Sequence, residues 1–283
     1  MPSNPDGVQA VLAPMRDEDR RALAQAKADL LRPSLAIRIA SGVGMRIDTL
    51  LRHVPGGLHD KITDLAEAAL RRCLDVALRT LSDGATAAPS GIAAQARARS
   101  RGLHKLAVIG TGAAGGAFGL LALPAELPVT TTLMFRSICA IAQSKGESLG
   151  DPAVQLQCLL VLALGGPAPD DDEAQWGYFM VRGTLAQAVS RASSELASKG
   201  LGAHSSSVLL QLIRQIASRL SVQISEQIAA KSVPAIGAVV GASVNAAFID
   251  HFQKIADAHF TVRALERRYG EACVRACWEA LPE

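Results

Sequence analysis

The sequence has few aromatic residues and little excess charge of either sign. Phenylalanine, tyrosine and tryptophan make up 4% of its 283 residues, whereas hydrophobic residues make up 49%. A core built mainly from Ala, Leu, Val and Ile suits closely packed helices and disfavours a β-sandwich, where aromatic and β-branched residues concentrate. The formal net charge is only +3, and no basic stripe is interleaved with aromatic residues, so we expect no nucleic acid partner.

Cysteine is also sparse, and its spacing gives no familiar site. The five cysteines are odd in number and form no C-x-x-C pair, which is typical of small core hydrophobes in a reducing compartment. Cys273 and Cys277 share a helix face and would suit half of a metal site, but no second pair of ligands has matching spacing. We therefore expect no metal and no cofactor. The N-terminal stretch lacks the features of a signal peptide, so we expect a cytoplasmic protein.

The motifs of standard chemistries are missing. The run GTGAAGG at 110–116 is not followed by G-K-[ST] and is not preceded by a strand, so it is not a phosphate-binding loop. The zinc-protease motif H-E-x-x-H and the nucleophile elbow G-x-S-x-G are also absent. A non-enzymatic role is favoured on these grounds.

Hydrophobic periodicity predicts helices throughout, and no stretch alternates as a strand. We expect a mobile leader at 1–15 and a single all-α domain, a multi-helix bundle, at 16–283. The sequence Pro-Ala-Glu-Leu-Pro at 124–128 predicts a tight turn, with a new helix starting at Pro128. The other predicted helices lie near 17–31, 34–52, 58–81, 152–163, 173–199, 206–230 and from the end of the second small-residue segment to 278.

Two segments rich in small residues are the most unusual feature. Leu106–Ala125 and Ser232–Ile249 contain no formally charged residue, and each is close to the roughly 20 residues that span a bilayer. Both contain glycines four positions apart, which form a groove that lets two helix backbones approach closely. We predict that the two segments form a central pair of helices packed through Gly112, Gly115, Gly116, Gly119, Gly237 and Gly241.

Three interpretations of this pair remain open. The segments form the core of a soluble bundle, or both cross a membrane, or the protein docks on or inserts into a membrane. Crossing is disfavoured because Gly and Ala give little transfer energy and because Asn245 is polar. Docking is favoured over crossing by the basic residues just before the first segment, which would attract anionic headgroups; otherwise they are the solvated face of a short helix. These residues are Arg97, Arg99, Arg101 and Lys105.

One group of polar residues would suit chemistry. Glu126 lies in the predicted turn, and the simplest interpretation is an ion pair with Arg136 that fixes the turn. The alternative is a hydrolytic or metal-dependent site in which Glu126 meets Asp250 and His251 across the fold. That alternative requires the three side chains to converge in one pocket.

The remaining polar residues of this region have structural explanations. His259 lies on an apolar stripe, so a hydrogen-bonded core histidine is favoured over a ligand or a base. Asp250 and Lys254, four positions apart, are expected to form an ordinary helix ion pair. The apolar stripe around His259 consists of Phe248, Phe252, Ile255 and Val262.

Two blocks of the sequence resemble the EcsC protein family. They are LPAELPVTTTLMFRSICAIAQSKGESLGDPAVQLQCLLVLALGG and NAAFIDHFQKIADAHFTVRALERRYG, and the resemblance covers roughly Leu58 to Gly270. The family is bacterial and takes its name from an operon that also encodes an ABC transporter. The resemblance therefore implies a function linked to membranes. It does not identify any catalytic residue in this chain.

These observations favour a peripheral membrane protein on the inner face of the membrane that binds anionic lipid headgroups. The alternative class is an enzyme using Glu126, Asp250 and His251. A third hypothesis, an interaction subunit for a membrane transporter, would require an exposed apolar patch.

Overall fold

The computed structural model describes residues 15–31, 58–82, 123–164, 174–199, 206–231 and 237–282. In these ranges all regular structure is helical and there is no strand, so the predicted all-α class is confirmed. The predicted helix at 34–52, the basic residues at 97–105 and the glycines at 112–119 lie outside the described residues, as does most of the leader. The helices are α1 (Asp17–Leu30), α2 (Leu58–Ser82), α3 (Leu123–Ser144), α4 (Pro152–Leu164), α5 (Ala174–Lys199), α6 (Ser207–Lys231), α7 (Gly237–Tyr269) and α8 (Glu271–Ala280).

Helix α4 lies at the centre of the bundle. Apart from Gln155 and Gln157 it is apolar around its circumference, and from Val154 to Leu164 every residue except Gln157 is buried. A helix that is hydrophobic all round needs neighbours on every side. Accordingly, α4 packs against α2, α3, α5, α6 and α7, and one hydrophobic cluster runs from Met15 in front of α1 to Trp278 in α8.

Helix α7 connects the two ends of the bundle. Its 33 residues correspond to a length of about 50 Å, and it packs against α1, α3, α4, α6 and α8. The second small-residue segment continues without a break into the polar half of this helix, so Gly237 and Gly241 lie in its first turns. Their packing against the first segment remains a prediction, because 106–122 lies outside the described residues.

The predicted turn at 124–128 is wrong, because α3 already begins at Leu123 and runs through both prolines. Pro124 lies in the first turn, where its missing N–H has no intrahelical partner to lose. Pro128 lies inside the helix and removes one backbone hydrogen bond. The Thr132 hydroxyl donates to the Pro128 carbonyl at 2.7 Å, so this turn of the helix gains a side-chain bond.

The predicted Glu126–Arg136 ion pair is wrong for the same reason. Both residues lie on α3, ten positions apart, which places them about 15 Å apart along the helix axis. Arg136 is exposed. With no turn between them, the two side chains cannot meet.

Polar contacts tie α1 and α8 to the C-terminal end of α7. The Lys27 side chain is buried and donates to the carbonyls of Trp278 (3.1 Å) and Leu281 (2.7 Å), so a lysine from α1 caps the C-terminus of α8. The Asp19 carboxylate accepts bonds from the Arg268 guanidinium at 3.0 Å and the Tyr269 hydroxyl at 2.6 Å. We call this region, formed by α1, α8 and residues 257–269 of α7, the anchored end.

The turn after α3 also attaches to the anchored end. Gly146 has φ +84°, a conformation in which a side chain would be strained, and it turns the chain so that Glu147 is buried. The Glu147 carboxylate accepts bonds from Arg263 at 2.9 Å and from Arg267. A single carboxylate thus holds two arginines of α7.

Acid should weaken the anchored end through Asp19. The Tyr269 hydroxyl, assisted by Arg16 and Arg268 and opposed by burial, lowers the pKa of Asp19 from 3.8 to about 2. A carboxyl group with a lowered folded-state pKa stabilises the protein above its unfolded pKa and loses that contribution as the pH falls towards the folded value. Thermal unfolding between pH 3.8 and about 2 should therefore show a steeper loss of stability in the wild type than in Asp19→Asn. Equal slopes for the two proteins would contradict this role.

Candidate functional site

A small cavity shows which helix ends meet opposite the anchored end. It has a volume of about 10 Å³, which is close to the space that one water molecule needs. Its walls come from the start of α3, the last turns of α6 and Phe248 in the first half of α7, so these parts of the three helices converge. The lining residues are Glu126, Leu127, Thr130, Thr131, Ile224, Gln227 and Phe248.

Both small-residue segments join the bundle where these helices converge. The first segment runs into α3 at Leu123, and the second contains the first turns of α7. We call this region the segment end and define it as residues 123–135 of α3, 220–228 of α6 and 237–249 of α7. The predicted pairing of the segments requires such a shared end.

Charge is distributed unequally between the two ends. The segment end contains two charged residues, Glu126 and the buried Glu226. A series of ion pairs holds the anchored end together and attaches it to α5 and to the turn after α3: Arg268–Asp19, Arg263–Glu147, Arg267–Glu147, Lys145–Asp257 and Arg182–Glu266. The segment end as defined thus contains few charged residues, with Lys231 following it at the end of α6, whereas the other end is held by ionic contacts.

Large exposed hydrophobic side chains are concentrated at the segment end. Among the residues that the structure describes, three are exposed: Val129 (46%), Val222 (38%) and Met180 (61%). Val129 lies on α3 and Val222 on α6, both in the segment end, whereas Met180 lies on α5. Isolated surface hydrophobics are ordinary, but two of them here coincide with the low charge of this end.

The interior of the segment end is unexpectedly polar. The Thr130 hydroxyl and the Gln223 side-chain oxygen are buried and have no hydrogen-bond partner among the described residues. Gln223 does donate to the Leu162 carbonyl at 3.5 Å. Sequence analysis missed Gln223 and Gln227, which continue at helical spacing the apolar stripe of α6 formed by Leu209, Leu212, Ile216 and Leu220. Polar residues on an apolar stripe are the signal that would have found them.

The three candidate catalytic residues lie at a similar level along the bundle, because Glu126 lines the same cavity as Phe248, but they do not form a metal site. Glu126 lines the cavity beside Phe248, and Asp250 and His251 follow Phe248 on α7. Asp250 contacts Lys254 at 2.9 Å, as predicted, and His251 is buried against the edge of Phe252. Among the described residues, no three His, Cys, Asp or Glu side chains are grouped closely enough to hold a metal ion. The metal-dependent form of the enzyme hypothesis therefore gains no support from these residues.

His259 is fully buried in a hydrogen-bonded network, as expected of a core histidine. Its Nδ1 lies 3.0 Å from the Tyr178 hydroxyl and its Nε2 lies 3.1 Å from the Gln157 side-chain oxygen. Burial, with the nearby charges of Arg182 and Arg263, holds the pKa of His259 well below its usual range. The neutral ring therefore donates from Nε2 to Gln157 and accepts from Tyr178 at Nδ1. Burial also raises the pKa of Tyr178 to about 12, so the network is uncharged.

A second candidate surface is an open groove between α5, α7 and α8. It encloses about 580 Å³, and a salt bridge lines it, in which Arg182 donates two bonds to Glu266 at 2.6 and 2.7 Å. Burial alone would lower the pKa of Arg182, but the contacts with Glu266 outweigh it and raise that pKa. The rest of the lining is mixed, with Glu271, Arg275 and Thr184 beside the exposed side chain of Met180.

The cysteines have the properties of core residues. All five are free, and burial raises the pKa of Cys73 to about 12 and that of Cys158 well above its usual range. Thiols with raised pKa values remain protonated and are poor nucleophiles. Cys73 and Cys158 are therefore assigned to packing.

None of the helices in the described part of the chain is long and apolar enough to cross a bilayer. No curated protein sequence and no solved structure matches the chain. The sequence profile of the EcsC protein family matches residues 17–265, which extends from the first turn of α1 to the anchored end of α7. The resemblance found in the two sequence blocks is thereby confirmed and extended to include α1. The chain belongs to the EcsC protein family.

Proposed function

We propose that this protein is a peripheral membrane protein that binds lipid through the segment end and the two small-residue segments. The observation that carries this proposal is the convergence of α3, α6 and α7 around one cavity, because residues 123–125 end the first uncharged segment and Phe248 belongs to the second. Low charge and two exposed valines at that end support it. An apolar surface that joins uncharged segments is suited to a lipid interface.

The basic residues before the first segment would supply the electrostatic part of binding. Arg97, Arg99, Arg101 and Lys105 precede Leu106 within ten positions. The cytoplasmic leaflet is anionic, and each basic residue close to it contributes about 1 kcal/mol of attraction. We therefore propose anionic lipid headgroups as the partner and the inner face of the membrane as the location.

Flotation of the whole chain with vesicles tests this function. We expect the protein to float with vesicles that contain phosphatidylserine and to float less at high salt, because salt screens surface attraction. Changing Arg97, Arg99, Arg101 and Lys105 to alanine should weaken binding at low salt by roughly two to three orders of magnitude. The readout is the fraction of protein that floats as a function of lipid concentration.

A control variant removes the same charge elsewhere. Arg20, Arg21, Arg72 and Arg191 are exposed on α1, α2 and α5, and changing all four to alanine should reduce binding far less. If the two quadruple variants bind equally well, the basic cluster has no special role. If the wild type stays unbound with every lipid and salt condition, the proposed function is wrong.

A further inference from the structure

Helix α5 has an exposed face that carries no charge. Its members recur every three or four positions, as residues on one side of a helix do. They are Met180, Gly183, Thr184, Gln187 and Ser190. Between positions 178 and 190 the only charged residue is Arg182, whose side chain donates to Glu266 on α7. The solvent side of a helix usually includes charged residues, whereas the core of a protein interface is depleted in charge and enriched in methionine.

This uncharged face borders the open groove between α5, α7 and α8. Met180, Gly183 and Thr184 line the groove on α5, and Glu271 and Arg275 line it on α8. Its volume of about 580 Å³ lies within the range of roughly 300–1,000 Å³ that is typical of occupied clefts. The groove is therefore large enough to receive side chains from a partner.

Gly183 leaves an opening in the wall of this groove that packing within the described part of the chain does not require. It lies inside α5, where glycine is the least favourable residue after proline. A Cβ atom added at Gly183 would meet no described atom within 4 Å, so a larger residue would fit the single chain. Gly146, in contrast, adopts φ +84° and is needed for its turn. The small size of Gly183 therefore becomes useful only if something outside the chain approaches α5.

Met180 has the kind of side chain that such an opening would accept. It is 61% exposed, more than any other large hydrophobic residue in the described part of the chain, and its unbranched side chain adapts to irregular spaces. It precedes Gly183 by three positions, which is about one helical turn. A protruding side chain and an opening on the same patch suit a two-fold symmetric dimer, because each copy then presents that patch to the other.

The charges that line the groove favour a second copy over an acidic or a basic partner. Arg182 and Glu266 neutralise each other at 2.6 Å, and the exposed charges are one acid, Glu271, and one base, Arg275. The Arg275 guanidinium group lies 5.8 Å from the centre of the Phe179 ring, so this base is fixed beside α5. A surface with equal numbers of both signs gives a partner of single sign no advantage. Two-fold symmetry instead allows Glu271 of each copy to meet Arg275 of the other.

We propose that the uncharged face of α5 and the adjoining groove form a homodimer interface, in which Met180 of each copy enters the groove of the other beside Gly183. The occupant of the groove is thus a second copy of this chain. Burial of both methionines against the partner removes apolar surface from water and drives the association. The interface is independent of lipid binding and goes beyond the proposed function.

The first test measures the association of the purified full chain without lipid, by analytical ultracentrifugation at micromolar to millimolar protein. We expect the wild type to dimerise. Met180→Ala should raise the dimer dissociation constant roughly 100-fold, because each dimer buries two copies of this side chain. Val129→Ala shortens another exposed hydrophobic side chain, on α3, and should leave the constant unchanged. A wild type that stays monomeric throughout, or a Met180→Ala variant that dimerises like the wild type, would overturn the proposal.

The second test uses Gly183→Gln, whose effects on folding and on association should have opposite signs. Glutamine is the better helix former and the space around Gly183 is open, so thermal unfolding of the dilute monomer should shift upwards by about 1–3 °C. The same side chain fills the opening that the partner's methionine needs, so the dimer should weaken roughly tenfold or more. Unchanged dimerisation of this variant would contradict the proposed contact.

The third test asks whether two identical surfaces meet. Glu271→Arg and Arg275→Glu each place like charges opposite each other, so each variant alone should dimerise less than the wild type. An equimolar mixture of the two should dimerise again, because the two substitutions restore opposite charges at both contacts. A mixture that associates no more than its components would show that the copies do not meet in this two-fold arrangement, and the proposal would then be wrong.

Discussion

Replacement of Glu266 by alanine is expected to lower the free energy of unfolding by about 3–5 kcal/mol. The Glu266 side chain is 10% exposed and that of its partner Arg182 is 17% exposed, so the substitution leaves a guanidinium group largely buried without its carboxylate. The Tyr178 hydroxyl lies beside this guanidinium group, and the loss should therefore also disturb the network of His259. Urea unfolding monitored by circular dichroism measures the change.

A double variant shows whether the loss of stability in Glu266→Ala comes from the unpaired charge of Arg182. Arg182→Met with Glu266→Leu removes both charges while keeping much of the volume, and buried ion pairs replaced in this way are often neutral or more stable. We expect the double variant to recover most of the stability that Glu266→Ala loses. A double variant as unstable as the single one would show that packing around Glu266 dominates instead.

Replacement of His259 by phenylalanine is expected to lower the free energy of unfolding by about 2–5 kcal/mol. The ring fits a similar space, but the Tyr178 hydroxyl and the Gln157 side chain lose their partners, and each buried unsatisfied group costs about 1–3 kcal/mol. Adding Tyr178→Phe removes one of those stranded groups. The double variant should therefore be less destabilised than the sum of its two single variants, and strict additivity would contradict the network.

The single variant His259→Phe should also change the pH dependence of stability. The folded-state pKa of His259 is well below its ordinary value of 6.5. At mildly acidic pH, His259 therefore binds a proton in the unfolded chain but not in the native state. Stability is complete above pH 6.5 and falls as the pH drops below it, by up to about 1.4 kcal/mol per pH unit. In His259→Phe this contribution should vanish, which unfolding curves at pH 5 to 7 would reveal as a shallower slope.

Sequence patterns predicted most of the described helices because local information decides them. The mostly apolar stretch of α4 predicted a helix near 152–163, and the helix is found at Pro152–Leu164. The amphipathic pattern of α2 predicted a helix near 58–81, and it is found at Leu58–Ser82. The prediction failed at α3, where Pro124 and Pro128 are typical of a turn, because a helix accepts a proline in its first turn and tolerates the cost of one inside.

The long-range polar contacts of the bundle could not be predicted from a single sequence. Lys27 is buried as a cap for α8, and its partner carbonyls are about 250 positions away. Glu147 and Arg263 are separated by 116 positions. A charged residue on a helix is normally solvated, and no local pattern distinguishes one that will meet a distant partner. Gln223 and Gln227 are the exception, because their positions on the α6 stripe were visible in the sequence.

The pairing of α1 with α7 and α8 has a consequence for the order of events during synthesis. The partners of Asp19 and Lys27 on other helices lie among residues 268–281, so α1 leaves the ribosome long before these partners exist. At 5–20 residues per second, about 10–50 s separate the two. During that time Leu23, which is fully buried in the native protein, has no native partner in α7 or α8. The last helices to be made therefore complete the burial of the first, and the anchored end closes late in folding.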